Sequence, residues 1–104
     1  MAKYVYVFHG GTIPDGEDER NAQMAKWGQW FEGLGTAIVD PGAPVGKSRT
    51  VSNGGSVADD GGANPVSGYT VIQADSFDDA TEKAKDCPIL VRGGSVEVAE
   101  VVEM

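Results

Sequence analysis

Histidine and cysteine are almost missing from this chain: His9 and Cys87 stand alone among 104 residues. A lone cysteine rules out an intrachain disulfide and agrees with a reducing compartment. One His and one Cys, far apart, supply no ligand spacing for a protein metal site, so neither a metal nor a cofactor is expected. Basic residues are also scarce. Lys and Arg total 8 against 16 Asp and Glu, a net charge of −8. Nucleic-acid binding rests on a basic face that releases counterions from phosphates, and an anionic membrane surface asks for the same. The basic residues here are scattered, with Lys47 and Arg49 the closest pair away from acidic neighbours, and they read as a solvated face. Neither nucleic acid nor membrane is expected as a partner. Long apolar runs are absent too. Residues 4–8 form the longest near the start, too short for a secretory core or a membrane span, so a cytoplasmic location is expected. The glycine-rich segment 61–68 (GGANPVSG) lacks both the lysine and the following long helix of a phosphate-binding loop.

What is present is the composition of a small globular protein, 40% apolar and 23% charged, which is enough for a modest core and excludes a disordered chain. Residues 1–104 are expected to form one domain. Residues 3–9 (KYVYVFH) alternate and are rich in β-branched and aromatic side chains, which predicts a strand with Tyr4, Tyr6 and Phe8 on one face and Val5 and Val7 on the other. Residues 17–34 predict a helix. Asp15 is its candidate N-cap, and Glu17, Asp18 and Glu19 suit the positive end of its dipole. Met24, Trp27, Phe31 and Leu34 recur at steps of three and four as its apolar stripe, and Gly33 and Gly35 stop it.

Residues 36–40 (TAIVD) predict a second strand, ended by Pro41 and Gly42. The stretch 42–67 differs in texture, being rich in Gly, Pro, Ser and Asn, and its Asn53-Gly54 pair is a strong hairpin signal. It reads as a two-stranded flap inserted between core strands. Residues 69–74 (YTVIQA) predict the third core strand. Ser76 and Asp79 have the spacing of a capping box ahead of a short helix, 77–86, whose buried face is Phe77, Ala80 and Ala84, with Pro88 as terminator. Residues 95–103 (SVEVAEVVE) predict the closing strand. The resulting α+β order is ferredoxin-like, βαββαβ: a four-stranded antiparallel sheet with two helices on one face and an inserted β-hairpin flap. The other sheet face is left bare and apolar. The expected cover is a second copy, sheet against sheet, in a homodimeric α+β barrel.

The opening KYVYVFHGG, the helix end WGQWFEGLG and the tail GYTVIQADSFDDATEKAKDCPILVRGGSVEVAEVVEM together resemble the YCII-related family of the dimeric α+β barrel superfamily. The likeness covers the core and leaves out most of the flap. It implies a ferredoxin-like fold, a homodimer and a pocket between sheet and helices. Some relatives are suspected enzymes with a His on the first helix and an Asp after the second strand. Here Met24 aligns with that His, and Asp40 follows the second strand.

In a ferredoxin-like sheet the first two strands are parallel with the third between them, so their C-terminal ends share one edge about 10 Å apart. That places His9 and Asp40 together, with Ser67 and Tyr69 where the third strand begins, the way a small-molecule site is assembled from separate segments. A carboxylate beside the ring would orient it for proton transfer. His before Gly-Gly and Asp before Pro-Gly are equally ordinary turn chemistry. Trp27 belongs to the apolar stripe, while Trp30 lies off its centre, facing a pocket for a flat ligand or an interface. Cys87, at a helix C-terminus, reads as structural. Two functions stay open. One is a homodimer that binds a small organic molecule without catalytic machinery. The other is a cofactor-independent enzyme on a small cyclic or aromatic substrate, with His9 as general acid/base.

Overall fold

The computed structural model describes residues 1–12 and 14–103. Its strands are β1 (Ala2–His9), β2 (Ile38–Pro44), β3 (Thr50–Val51), β4 (Val57–Ala58), β5 (Val66–Ala74) and β6 (Ser95–Glu100), and its helices are α1 (Glu17–Leu34) and α2 (Phe77–Ala84). The main sheet has the order β2-β5-β1-β6, and every neighbouring pair is antiparallel. β1 and β2 are therefore parallel, with β5 between them. The chain is α+β, with a four-stranded antiparallel sheet and two helices, consistent with the ferredoxin-like pattern.

Strand alternation divides the sheet into two faces. Tyr4, Tyr6 and Phe8 of β1 are buried. Trp30 of α1 stacks on Tyr6 with ring centroids 5.8 Å apart, and Phe77 of α2 meets Tyr4 edge-on at 5.4 Å. Both helices thus cover the same face. Tyr6 donates its hydroxyl proton to the carbonyl of Ala80, and burial pushes its phenol up, so the donor stays protonated. Leu34 from α1, Ile72 and Ala74 from β5, Ala80 and Ala84 from α2, and Cys87 and Ile89 after it complete the core. The small alanines on α2 let the helix lie close to the sheet.

Several expectations shift in detail. α1 spans the expected residues, but Gly16 and not Asp15 occupies the N-cap, with no side-chain bond to the helix. Trp30, not the stripe from Met24, is the centre of its buried face: it is 7% exposed, Met24 71%. Trp30 Nε1 donates to the Lys83 carbonyl at 3.0 Å, so the indole fills the crevice between α1, α2 and the sheet, and only its polar edge needs a partner. α2 ends at Ala84, two residues short of the expected end, and a 3-10 turn, Pro88–Arg92, follows. Ser76 caps α2 by accepting from Asp79 N–H at 3.0 Å. The hydrogen bond from Lys83, then that from Asp75 N–H, holds the Asp79 carboxyl below its usual range. β6 ends at Glu100, before the expected 103.

β2 departs most. It was expected to stop at Asp40, yet it runs to Pro44 with register breaks between Ile38 and Asp40 and again between Asp40 and Ala43. Its place at the sheet edge explains this: a proline on an edge strand forfeits no inner-ladder bond, and irregularities absorb the misfit. Gly42, at φ +70°, lets the strand cross Tyr69 closely; a Cβ there would lie 1.8 Å from the Tyr69 carbonyl oxygen. The flap is correspondingly narrower than 42–67. Its hairpin pairs Thr50 with Ala58 and Val51 with Val57 around the Asn53-Gly54 turn, and residues 49–60 are all exposed.

Candidate functional site

A cavity of about 560 Å³ opens between α1 and the end of the sheet where β1 finishes and β5 begins. Five segments build it, the 3-10 turn contributing Ile89 and Arg92. Phe8 and the loop 10–12 come from β1; Met24, Trp27 and Phe31 face it from α1; residues 41–44 of β2 form one wall; and residues 67–70 of β5 form the floor. The aromatic rings are packed into a cluster. Phe8 meets Trp27 edge-on at 5.1 Å, and Trp27 lies 6.0 Å from Phe31. These residues lie on one face of α1 because 20, 24, 27 and 31 recur with the helical period. The volume falls in the range of ordinary small-molecule sites, and such sites combine an apolar lining with a few placed polar groups.

Two of those polar groups are arginines. Among the described residues, Arg20 and Arg92 line the cavity and no Asp or Glu does. Arg20 donates from Nη1 to the Asp15 carbonyl at 3.2 Å. Arg92 donates from Nε to the Thr12 carbonyl at 3.2 Å, and Thr12 N–H returns a bond to the Arg92 carbonyl at 3.0 Å. That exchange stitches the loop after β1 to the 3-10 turn. Among the described residues neither guanidinium has a carboxylate partner. A third polar group is Ser67, whose Oγ is buried and makes no hydrogen bond among the described residues. A buried hydroxyl with no partner carries a desolvation cost that a bound group or water relieves.

Of the residues singled out from sequence, Trp27, Ser67 and Tyr69 border this cavity, although the register with Val7 turns the Tyr69 side chain toward the opposite sheet face. Trp30 does not; it sits behind Trp27, at 5.6 Å, in the core. His9 and Asp40 are not brought together. His9 lies opposite Val66 on β5, whereas Asp40 lies opposite Val71, five residues further along and so about 16 Å away along the strand. The cause is the extension of β2: four further residues, not Asp40, bring it to the edge. Asp40 Oδ1 accepts from Gly42 N–H at 2.8 Å, an Asx turn that organises the bend in β2. His9 points to the bare face, beside Val7 and opposite Ser95. Its Nδ1 is 2.9 Å from the Asn64 carbonyl, its Nε2 3.0 Å from Glu97 Oε1. The carboxylate beside the ring is therefore Glu97, and the ring ties the loop before β5 to β6. Neither His9 nor Asp40 lines the cavity.

Arg20 and Arg92 escaped the sequence reading. Each is an isolated basic residue in an acidic chain, and only the fold gathers them. Met24, where the YCII-type helix histidine would align, does line the cavity. A second, more open hollow of about 660 Å³ lies between α1 and the chain after α2, and Trp30 and Cys87 are among the residues that line it. Burial pushes the Cys87 thiol up to about 11, against a smaller opposite pull from a backbone hydrogen bond at Ile89, so the group stays a protonated core residue. Among the described residues no group of three or more His, Cys, Asp or Glu is placed to hold a metal ion, and no helix is long and apolar enough to cross a membrane. No family model matches the sequence, and no curated protein is detectably similar to it.

Proposed function

We propose that this protein is a homodimeric small-molecule-binding protein, related to the YCII-type dimeric α+β barrels, whose ligand occupies the cavity between α1 and the sheet edge. The observation that carries the reading is the cavity itself: about 560 Å³, walled by Phe8, Trp27 and Phe31, with the unpartnered Ser67 hydroxyl among its polar groups. Binding is favoured over acid–base catalysis because the one histidine faces the other side of the sheet, with both ring nitrogens engaged.

The dimer half of the proposal rests on the uncovered face. Val5, Val7, Val71 and Ala99 share it by register, and Tyr69 on it is 39% exposed. The molecule is a slab 18 Å thick with a radius of gyration of 15.0 Å, above the roughly 13 Å of a compact chain this long. A second copy would bury the apolar face and thicken the slab.

The test is a thermal-shift screen of a metabolite collection, since a ligand that binds only the folded chain raises Tm by mass action. Compounds that stabilise the wild type and fail with Trp27→Ala support the reading. A screen in which no compound raises Tm, or in which Trp27→Ala responds like the wild type, removes it. Sedimentation at micromolar concentration checks the dimer, and a monomer there overturns that half alone.

A further inference from the structure

The charge of the cavity is opposite to that of the chain. Acidic residues outnumber basic ones 16 to 8 in the sequence, yet among the described residues the charged side chains lining the cavity are Arg20 and Arg92 alone. The carboxylates nearest in sequence are turned to other tasks. Glu17, Asp18 and Glu19 occupy the first turn of α1 without lining the cavity, and Asp40 is spent on the Gly42 turn. A guanidinium carries five N–H donors. Among the described residues Arg20 and Arg92 each use one side-chain nitrogen, on a backbone carbonyl. Both cations therefore keep donors over, beside an aromatic wall, with no anion of the protein's own to meet them.

We infer that the ligand is an organic anion: a flat aromatic or cyclic body lying against Trp27, Phe8 and Phe31, with a carboxylate that Arg20 and Arg92 hold. This rests on the proposed small-molecule reading and specifies its ligand class. The reasoning is complementary at both ends. The rings supply area for a planar apolar body. The planar guanidinium fork matches a carboxylate, and such charge-assisted bonds are about twice as strong as neutral ones. A cationic ligand would find two like charges and no counter-charge. Arg20 is exposed and Arg92 half-buried, so a neutral ligand would leave both to water and gain nothing from their charge.

Matched probes separate this inference from the reading beneath it. 2-Naphthoate and 2-naphthamide share a ring system and differ in charge. Each is titrated into the ¹⁵N-labelled protein, following amide shifts of residues 8–12, 24–31 and 67–70. The expected result is that naphthoate binds in the cavity at least about tenfold tighter than naphthamide, a difference of about 1.4 kcal/mol. Arg20→Gln and Arg92→Gln should each lower the ratio of naphthoate to naphthamide affinity severalfold, while naphthamide still shifts the cavity amides and so reports that the cavity is formed. Equal binding of the two probes would overturn the anion inference and leave the cavity reading standing. A naphthoate preference untouched by either substitution would overturn the role of the arginines. Failure of both probes to shift cavity residues at millimolar concentration would remove the cavity reading and the inference together.

Discussion

His9 Nε2 lies 3.0 Å from Glu97 Oε1, across the β1–β6 ladder, on the sheet face opposite the helices. The pair is a tie between strands and loop. Its other ring nitrogen reaches the Asn64 carbonyl, so one side chain holds the segment before β5 against the sheet. His9→Ala is expected to speed amide exchange over residues 59–65 while changing the affinity of any cavity ligand less than about twofold, since well-separated sites act independently. Hydrogen exchange by mass spectrometry and a ligand titration check the two halves. A large loss of ligand affinity would bring His9 back as a functional group.

Trp30 is expected to be the most costly position on α1. Trp30→Ala removes the ring stacked on Tyr6 and the bond to Lys83, and should cost about 3–5 kcal/mol. Trp30→Phe keeps much of the volume and loses the N–H donor, for about 1–2 kcal/mol. Urea titration of both variants gives the comparison. Met24→Ala, by contrast, truncates a side chain that is 71% exposed and should change stability by about 0.5 kcal/mol or less.

Gly42 and Gly54 form a matched pair. Both have positive φ, +70° and +90°, but a Cβ at Gly42 meets the Tyr69 carbonyl while at Gly54 it meets nothing within 4 Å. Gly54→Ala should cost about 1 kcal/mol from backbone strain alone. Gly42→Ala adds the collision, must move β2 off β5, and should cost about 3 kcal/mol or more. It also displaces a cavity wall, so its ligand affinity should fall together with its Tm. Similar Tm values for the two variants would contradict the close crossing of β2 over Tyr69.

Cys87 makes stability depend on alkaline pH. Burial raises its thiol from the ordinary 9.0 to about 11 in the folded chain. The folded state holds the proton that the unfolded state has lost between those values, so the contribution is complete below 9.0 and is lost as pH rises toward about 11. The tyrosines, also raised by burial at Tyr4 and Tyr6, add a decline of the same sign. The Cys87 share is the part of the slope that Cys87→Ala removes. Iodoacetamide at pH 8 should label the native thiol far more slowly than the thiol of the urea-unfolded chain.

Element order and type were legible in the chain because they are local. The two-residue period of KYVYVFH and the three-and-four spacing of Trp27, Phe31 and Leu34 each specify an element without reference to the rest. Ser76 and Asp79 mark a helix start within four residues, and Asn53-Gly54 marks the hairpin. What tertiary structure decided is level and neighbourhood. His9 and Asp40 were placed at one edge by topology, but β2 runs on to Pro44, which leaves Asp40 about 16 Å back along the sheet, and no local pattern announces such an extension. Trp30 was buried by a crevice that exists only once α1, α2 and the sheet have met, which its helical position alone did not reveal. Arg20 and Arg92 are scattered cations in the sequence and neighbours of one cavity in the fold. Coulombic and apolar environments are sums over groups distant along the chain, so the charge and apolar character of the cavity appear only when packing brings those groups together.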